Sequence, residues 1–232
     1  MEPRLPLVPP GMRAVLFDID GTLLDTHEFI VQAFEYALRR HGYPVPPRNA
    51  LISLVIGQSL VDGYAALNGG DRDVAELIET HRTFQEHHLD LCSAYAGAAE
   101  VLAVLRERGF RLAAVTNRSR RTSVKTLEMT GLAPFFDVVV SSEDTPRPKP
   151  YPDPLFIALE ALAVAPEEAL IVGDSAVDME AGRSAGVFSI AVTNGGADHR
   201  LAGSRPNLVI PSLAALLPLL RASLNGDPAA GR

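Results

Sequence analysis

Two carboxylates one residue apart, Asp18 and Asp20, follow directly after the apolar run 15–17. A short apolar run of this kind predicts a buried parallel strand, and ligands bind at the carboxyl ends of such strands. Neighbouring carboxylates repel each other, so the pair indicates a bound divalent cation. The simpler alternative is an ordinary turn before a helix cap. A calcium loop is disfavoured, because its sixth position counted from Asp18 is Leu23 rather than glycine.

Two later apolar runs, 111–115 and 169–172, also end in polar side chains. Both junctions are followed by the start of a helix, as expected for strands of an α/β sheet. The polar residues that follow the two runs are Thr116, Asn117, Asp174, Ser175 and, three residues further on, Asp178.

Lys149 lies between these two junctions, in the proline-rich segment 147–154. The chain contains two lysines, Lys125 and Lys149, against nineteen arginines. Proline fixes φ and stiffens the segment, and an ammonium is a compact charge that approaches a carboxylate and a phosphoryl oxygen together. A solvated loop lysine is the simpler alternative.

These clusters together supply a carboxylate nucleophile, a second carboxylate, a hydroxyl group, a lysine and further acids for a metal. A carboxylate attacks a phosphate ester only when a cation screens the repulsion and donors hold the phosphoryl oxygens. An aspartyl-phosphate intermediate would divide the hydrolysis into two easier steps. The residues therefore indicate phosphoryl transfer.

The order Asp-x-Asp-Gly-Thr, Thr-Asn, Lys, Gly-Asp-Ser-x-x-Asp resembles the haloacid dehalogenase-like hydrolase superfamily over about residues 13–196. The resemblance implies that Asp18 is the nucleophile and Asp20 the general acid and base. It also implies that Asp18, the backbone carbonyl of Asp20 and Asp174 ligate Mg²⁺. The dehalogenase members lack the second aspartate, so Asp20 indicates phosphatase chemistry.

The same resemblance implies roles for the remaining motif residues. Lys149 would be catalytic and bind phosphate, and Ser175 and Asp178 would be auxiliary. Asp178 would either support the metal or orient Lys149. The other residues that would bind phosphate are Gly21, Thr116 and Asn117.

Residues 27–92 have a helical rather than a strand pattern and separate the first motif from the others. Such an insertion resembles the superfamily's small helical cap. Its turn Gly57-Gln58-Ser59 is either a substrate-facing loop or an ordinary turn between helices. Arg118 either reaches a second anionic group of the substrate or is solvated.

The rest of the chain alternates strands and helices, which predicts an α/β, Rossmann-like, doubly wound parallel sheet made of residues 12–26 and 93–222. The strand before Asp18 is expected at the centre. We expect disordered tails at 1–11 and 223–232. The remaining elements are expected at 100–108, 154–164 and from 212 as helices, and at 136–140, 188–192 and 208–210 as strands.

Composition narrows the classes of function. The formal charge of −7 and the absence of tryptophan disfavour nucleic-acid binding. The single cysteine, Cys92, excludes an intrachain disulfide, and His81, His87 and His88 lack zinc-ligand spacing. No apolar stretch reaches the roughly 18 residues of a membrane span, so a cytoplasmic protein is expected.

The expected activity is Mg²⁺-dependent hydrolysis of a small anionic phosphorylated metabolite by a monomer or homodimer. Phosphoglycolate phosphatase-like and pyrophosphatase-like members with a small cap are the most similar in sequence. A phosphosugar mutase on the same scaffold is an alternative. A receiver domain also pairs acids with threonine and lysine, but it is shorter and has no helical insertion.

Overall fold

The computed structural model describes residues 8–56, 58–70, 73–195 and 201–224. Its larger sheet consists of strands β1 (Ala14–Phe17), β4 (Arg111–Val115), β5 (Val138–Val140), β6 (Ala169–Gly173), β7 (Phe188–Val192) and β8 (Leu208–Ile210). All neighbouring strands are parallel, in the order β5-β4-β1-β6-β7-β8. A second, antiparallel pair joins β2 (Leu24–Asp25) to β3 (Ser93–Ala94).

Nine α-helices accompany these strands in the described residues: α1 (His27–Arg40), α2 (Arg48–Val55), α3 (Leu60–Leu67), α4 (Ala75–His87), α5 (Ala98–Glu107), α6 (Arg120–Met129), α7 (Asp153–Leu162), α8 (Ala176–Ala185) and α9 (Leu216–Leu224). Helices α5, α6 and α9 pack on one face of the larger sheet, and α7 and α8 pack on the other. The doubly wound parallel sheet predicted from the sequence is confirmed.

Strand β1 explains why the polar junctions meet. Its alternate residues enter the two apolar layers, with Val15 and Phe17 on one face and Ala14 and Leu16 on the other. All four are fully buried, as expected for a strand in the middle of a parallel sheet. Phe17 is aligned with residue 114 of β4 and with residue 172 of β6, so the segments after all three strands emerge at the same edge.

Helices α1 to α4 have an apolar cluster of their own, which includes Phe34, Leu51 and Tyr64. The chain enters this helical segment through β2 and leaves it through β3, and the pairing of these strands ties the two crossings together. Helix α1 ends just before Gly42, because glycine readily adopts a positive φ. Gly42 has φ +74, and the Tyr43 N–H donates to the carbonyl of residue 38. Helix α3 was not predicted; Ser59 caps its first turn.

Several predicted boundaries change by a few residues. The strand expected at 136–140 is only Val138–Val140, because a 3₁₀ turn, Ala133–Phe135, precedes it. The helix expected from 212 begins with a second 3₁₀ turn, Leu213–Ala215, before α9. The strands predicted at 188–192 and 208–210 have those bounds.

The chain is already packed at Val8, which is buried in the same apolar layer as Met12. The expected disordered tail to residue 11 is therefore too long, and α9 continues to 224 where a tail from 223 was expected. Residues 1–7 and 225–232 lie outside the described residues. Among the described helices, none combines the length and apolar character that crossing a membrane requires.

Helix α8 packs closely on the larger sheet at Gly182. A Cβ atom there would lie 2.7 Å from Cγ2 of Ile171 and 3.3 Å from Cβ of Ser189. Gly182→Ala is expected to lower the free energy of unfolding by about 1–3 kcal/mol, because the helix must move away from β6 and β7. Urea denaturation measures this, with Ser184→Ala on the exposed side of α8 as the control. Equal stability of the two variants would contradict this packing.

Candidate active site

The side chain of Lys149 lies at the centre of the site and is fully enclosed by acceptors. Its Nζ donates to Oδ1 of Asp18 at 2.6 Å, to Oδ1 of Asp178 at 2.6 Å and to the carbonyl oxygen of Val115 at 2.8 Å. All three ammonium hydrogens are therefore used. Lys149 is buried, which rules out the alternative of a solvated loop lysine.

Asn117 fixes the main chain of Lys149. Its Nδ2 donates to the Lys149 carbonyl oxygen, and its Oδ1 accepts from the Lys149 N–H, both at 2.9 Å. Both ends of the side-chain amide are thus engaged, so this side chain positions Lys149. That Asn117 also binds phosphate stays a prediction.

Thr116 has a hydrogen free to donate into the cavity, whereas the N–H of Gly21 donates within a turn. Thr116 is buried and lines the cavity, and its Oγ1 accepts from the backbone N–H of Arg118 at 3.1 Å, which leaves its own hydrogen to donate. Gly21 has φ +75, and its N–H donates to the carbonyl of Leu24 at 2.8 Å. The Gly21 N–H is therefore used within the turn, and phosphate binding by Gly21 stays a prediction.

Asp178 contacts both Lys149 and the residue that precedes α8. Its Oδ1 binds the ammonium, while its Oδ2 accepts from Ser175 Oγ at 2.6 Å and from the Ser175 N–H at 3.2 Å. Ser175 begins α8, so this contact is also a capping interaction. Gly173 permits the arrangement, because a Cβ atom there would lie 2.4 Å from both Cβ and Cγ of Asp178.

Asp20 lies beside Arg118, whose Nη1 donates to Oδ1 of Asp20 at 3.1 Å. The guanidinium also lies over the ring of Phe29 in α1, 4.7 Å from its centroid. Arg118 is only 9% exposed, so the alternative of a solvated arginine is wrong.

The electrostatics of the site are dominated by acids. Four carboxylates, those of Asp18, Asp20, Asp174 and Asp178, line one cavity with three basic side chains, those of Lys149, Arg118 and Arg82. Burial raises the pKa of Asp18 to about 7, against the attraction of Lys149, and the charges of Asp178 and Asp20 add to the rise. A further cation close to Asp18 would favour its ionised, nucleophilic form.

A divalent metal ion fits this donor set. Carboxylate oxygens of Asp18, Asp174 and Asp178 lie within 4.8 Å of one another. These three carboxylates are the candidate ligands, and Asp178 also binds Lys149 and Ser175. Oxygen donors of this kind are the ligands that Mg²⁺ prefers.

The helical segment closes the cavity opposite the acids. Gln58 lines it, in agreement with the predicted substrate-facing loop, whereas Ser59 accepts from the Asp62 N–H and serves as the cap of α3. Gly57 lies outside the described residues. His81 and Arg82 of α4 also line the cavity, although neither was predicted to do so. They are recognised as cavity residues only because the structure shows how α4 packs against the rest of the protein.

Comparison with known proteins agrees with this architecture. The model of the haloacid dehalogenase-like hydrolase family matches residues 15–192. The chain is 36% identical over 213 residues to pyrophosphatase PpaX of Bacillus pumilus (strain SAFR-032), covering 91% of this chain and 97% of that protein.

Two solved structures show the same fold. A predicted phosphatase from Clostridium acetobutylicum has a TM-score of 0.82 at 26% identity, covering 91% of this chain and 99% of its own. A predicted phosphoglycolate phosphatase from Haemophilus somnus 129PT has a TM-score of 0.78 at 24% identity, covering 90% and 98%.

This chain belongs to the haloacid dehalogenase-like hydrolase family. Within that family it is a phosphohydrolase, as the similarity to pyrophosphatase PpaX and to the Clostridium phosphatase shows.

Gly173→Ala tests whether the position of Asp178 controls the site. The added methyl group would displace Asp178, and Lys149 would lose one of its two carboxylate partners. Phosphatase turnover is expected to fall at least about tenfold. Ser184→Ala, a small change on the exposed side of the same helix, is the matched control. Wild-type turnover by Gly173→Ala would show that Asp178 does not position Lys149.

Proposed function

We propose that this protein hydrolyses a small anionic phosphate compound in a Mg²⁺-dependent reaction that passes through an aspartyl-phosphate on Asp18. The observation that carries the proposal is the buried ammonium of Lys149, bound at 2.6 Å to both Asp18 and Asp178. The ammonium holds the Asp18 carboxylate, which follows β1, in a fixed orientation and neutralises part of its negative charge. A phosphoryl group entering the cavity would then meet a positioned nucleophile.

Asp20 would transfer protons, and other residues would bind the phosphoryl oxygens or hold the catalytic groups in place. Asp20 lies two residues after Asp18 and is partly exposed to the cavity, so it can protonate the leaving oxygen and then take a proton from the attacking water. The Thr116 hydroxyl would donate to a phosphoryl oxygen, and the Lys149 ammonium would do so by exchanging one of its present acceptors for that oxygen as charge develops. Ser175 and Asn117 keep Asp178 and Lys149 in place.

Asp18 and Asp174, with the backbone carbonyl of Asp20, would hold the metal ion. When bound, Mg²⁺ would offset the surplus of carboxylates and polarise the phosphoryl group. Lys149 alone cannot do this, because its three hydrogens are shared with Asp178 and a backbone carbonyl as well as Asp18.

Residues 27–92 would act as a cap on a core of residues 12–26 and 93–222. Two ion pairs between α4 and the core support this: Arg121 with Glu86 at 3.0 Å and Arg82 with Glu143 at 3.7 Å. A closed cap would exclude water and select the substrate.

Two substrates deserve the first test. Inorganic pyrophosphate is supported by the relatives named pyrophosphatase PpaX, and phosphoglycolate by the motif resemblance. Release of phosphate, rather than its transfer to a sugar, would distinguish hydrolysis from the mutase alternative. The cytoplasmic location and the monomeric or homodimeric state stay predictions.

Asp18→Asn is expected to reduce phosphate release from pyrophosphate and phosphoglycolate by at least about a thousandfold, because the amide cannot attack phosphorus. Phosphate release and thermal unfolding are measured together, so that loss of fold is not mistaken for loss of chemistry. Glu107→Gln, an exposed change of the same chemical type on α5, is the control. Substantial turnover by a folded Asp18→Asn enzyme would exclude Asp18 as the nucleophile.

Removal of divalent metal with excess EDTA is expected to stop turnover, because four carboxylates would face the phosphoryl group with too little positive charge. Addition of Mg²⁺ beyond the chelator should restore it. Undiminished activity after exhaustive chelation and dialysis would rule out the metal-dependent reaction.

A further inference from the structure

Four side chains around the cavity have buried polar atoms with no hydrogen-bond partner, and none of these atoms has a task in the proposed chemistry. A buried donor without an acceptor is costly, so such a group indicates a missing ligand. The atoms are Thr26 Oγ1, His81 Nε2, Arg82 Nε, and both Nε and Nη2 of Arg118.

Arg118 presents the most specific of these groups. Its Nη1 is paired with Asp20, while Nε and Nη2, which form the parallel donor pair on one side of the guanidinium, are unpaired. This edge matches the two oxygens of a carboxylate or phosphate. The ring of Phe29 under the guanidinium fixes its plane. Cys92 also lies close to Arg118, but a thiol is a weak acceptor.

His81 adds a neutral donor beside the two arginines. Burial, with smaller contributions from the charges of Arg118 and Arg82, lowers the pKa of His81 to about 3, so the ring is neutral. Its Nδ1 lies 2.9 Å from the Tyr64 hydroxyl. With that hydroxyl donating to Nδ1, the ring proton is on Nε2, the atom without a partner.

Arg82 brings a second positive charge from the helical segment. Its Nη2 is 3.7 Å from Glu143, which is half-exposed, while its Nε is buried and unpaired. The cavity therefore has carboxylates around Lys149 and guanidinium groups from both the core and the helical segment. A cation suits the first group, and an anion suits the second.

We propose that Arg118, Arg82 and His81 form a second anion site, so that the substrate is a small phosphate compound with an additional anionic group, a carboxylate or a second phosphoryl group. This inference rests on the proposed function, because the phosphoryl group that reacts is taken to bind at Asp18. The second group would occupy the unpaired edge of Arg118, with Arg82 and His81 donating to it. Substrates with an uncharged tail would leave these donors unpaired and bind weakly.

The test compares matched substrates that differ only in the tail. Phosphoglycolate is paired with 2-hydroxyethyl phosphate, in which a hydroxymethyl group replaces the carboxylate, so that both are alkyl esters with similar leaving groups. Wild-type kcat/KM is expected to favour the substrate with the second anion by at least about tenfold. This pair tests a carboxylate as the second anion, and the binding measurement with phosphonates described below tests a phosphoryl group.

Two variants remove the proposed contacts. Arg82→Gln and Arg118→Lys should each reduce this ratio about tenfold, and Arg82→Gln should do so mainly through KM. Arg183→Gln, an exposed arginine whose partner is Glu180 of the same helix, is the matched control and should keep the wild-type ratio. A wild-type ratio near one, or a ratio unchanged in Arg82→Gln, would overturn the second anion site.

A binding measurement separates this inference from the proposed function. Calorimetric titration of the Asp18→Asn enzyme with Mg²⁺ compares methylenediphosphonate with methylphosphonate, neither of which needs to react. Tighter binding of methylenediphosphonate that is lost on adding Arg82→Gln supports the site even if no phosphate compound is hydrolysed. Equal affinities would mean that the unpaired donors hold only water, and would reject the site even in an active phosphatase.

Discussion

The ammonium of Lys149, enclosed by Asp18, Asp178 and a backbone carbonyl, is the contact on which the rest of the site depends. Burying three acids near one another is unfavourable unless cations compensate them. Each strand junction contributes to this compensation: β1 supplies Asp18, β4 leads to Asn117, and β6 leads through Gly173 to Asp178. The fold therefore brings distant parts of the sequence to one positive charge, and leaves the remaining negative charge for a metal ion.

Much of this arrangement could be predicted from the sequence because it follows from local rules. Apolar runs that end in polar residues indicate parallel strands, and parallel strands place their carboxyl ends together. The central position of β1 and the burial of Lys149 follow from that pattern. The contacts of Asn117 and Gly21 could not be predicted in this way. An amide or a backbone N–H has several possible partners, and its actual partner depends on the conformation of the folded loops.

The helical segment was less predictable for a different reason. Its amphipathic helices are visible in the sequence, but the residues that face the core depend on how α4 docks. His81 and Arg82 have no spacing that distinguishes them from other residues on a helix, and Arg118 was equally compatible with solvent. Docking buries all three groups around one cavity and leaves donors without acceptors. Such donors are visible only in a structure, and they indicate a ligand more strongly than the sequence does.

The central claim is that Asp18 forms a bond to phosphorus. Its most direct test uses Asp20→Ala, which should slow the attack of water on an acyl phosphate, and a phosphate ester labelled with ³²P that has a good leaving group. After an acid quench, the account predicts a hydroxylamine-sensitive label on the peptide that contains Asp18, and no label when Asp18→Asn is added. A label on another residue, or turnover without any such label, would contradict it.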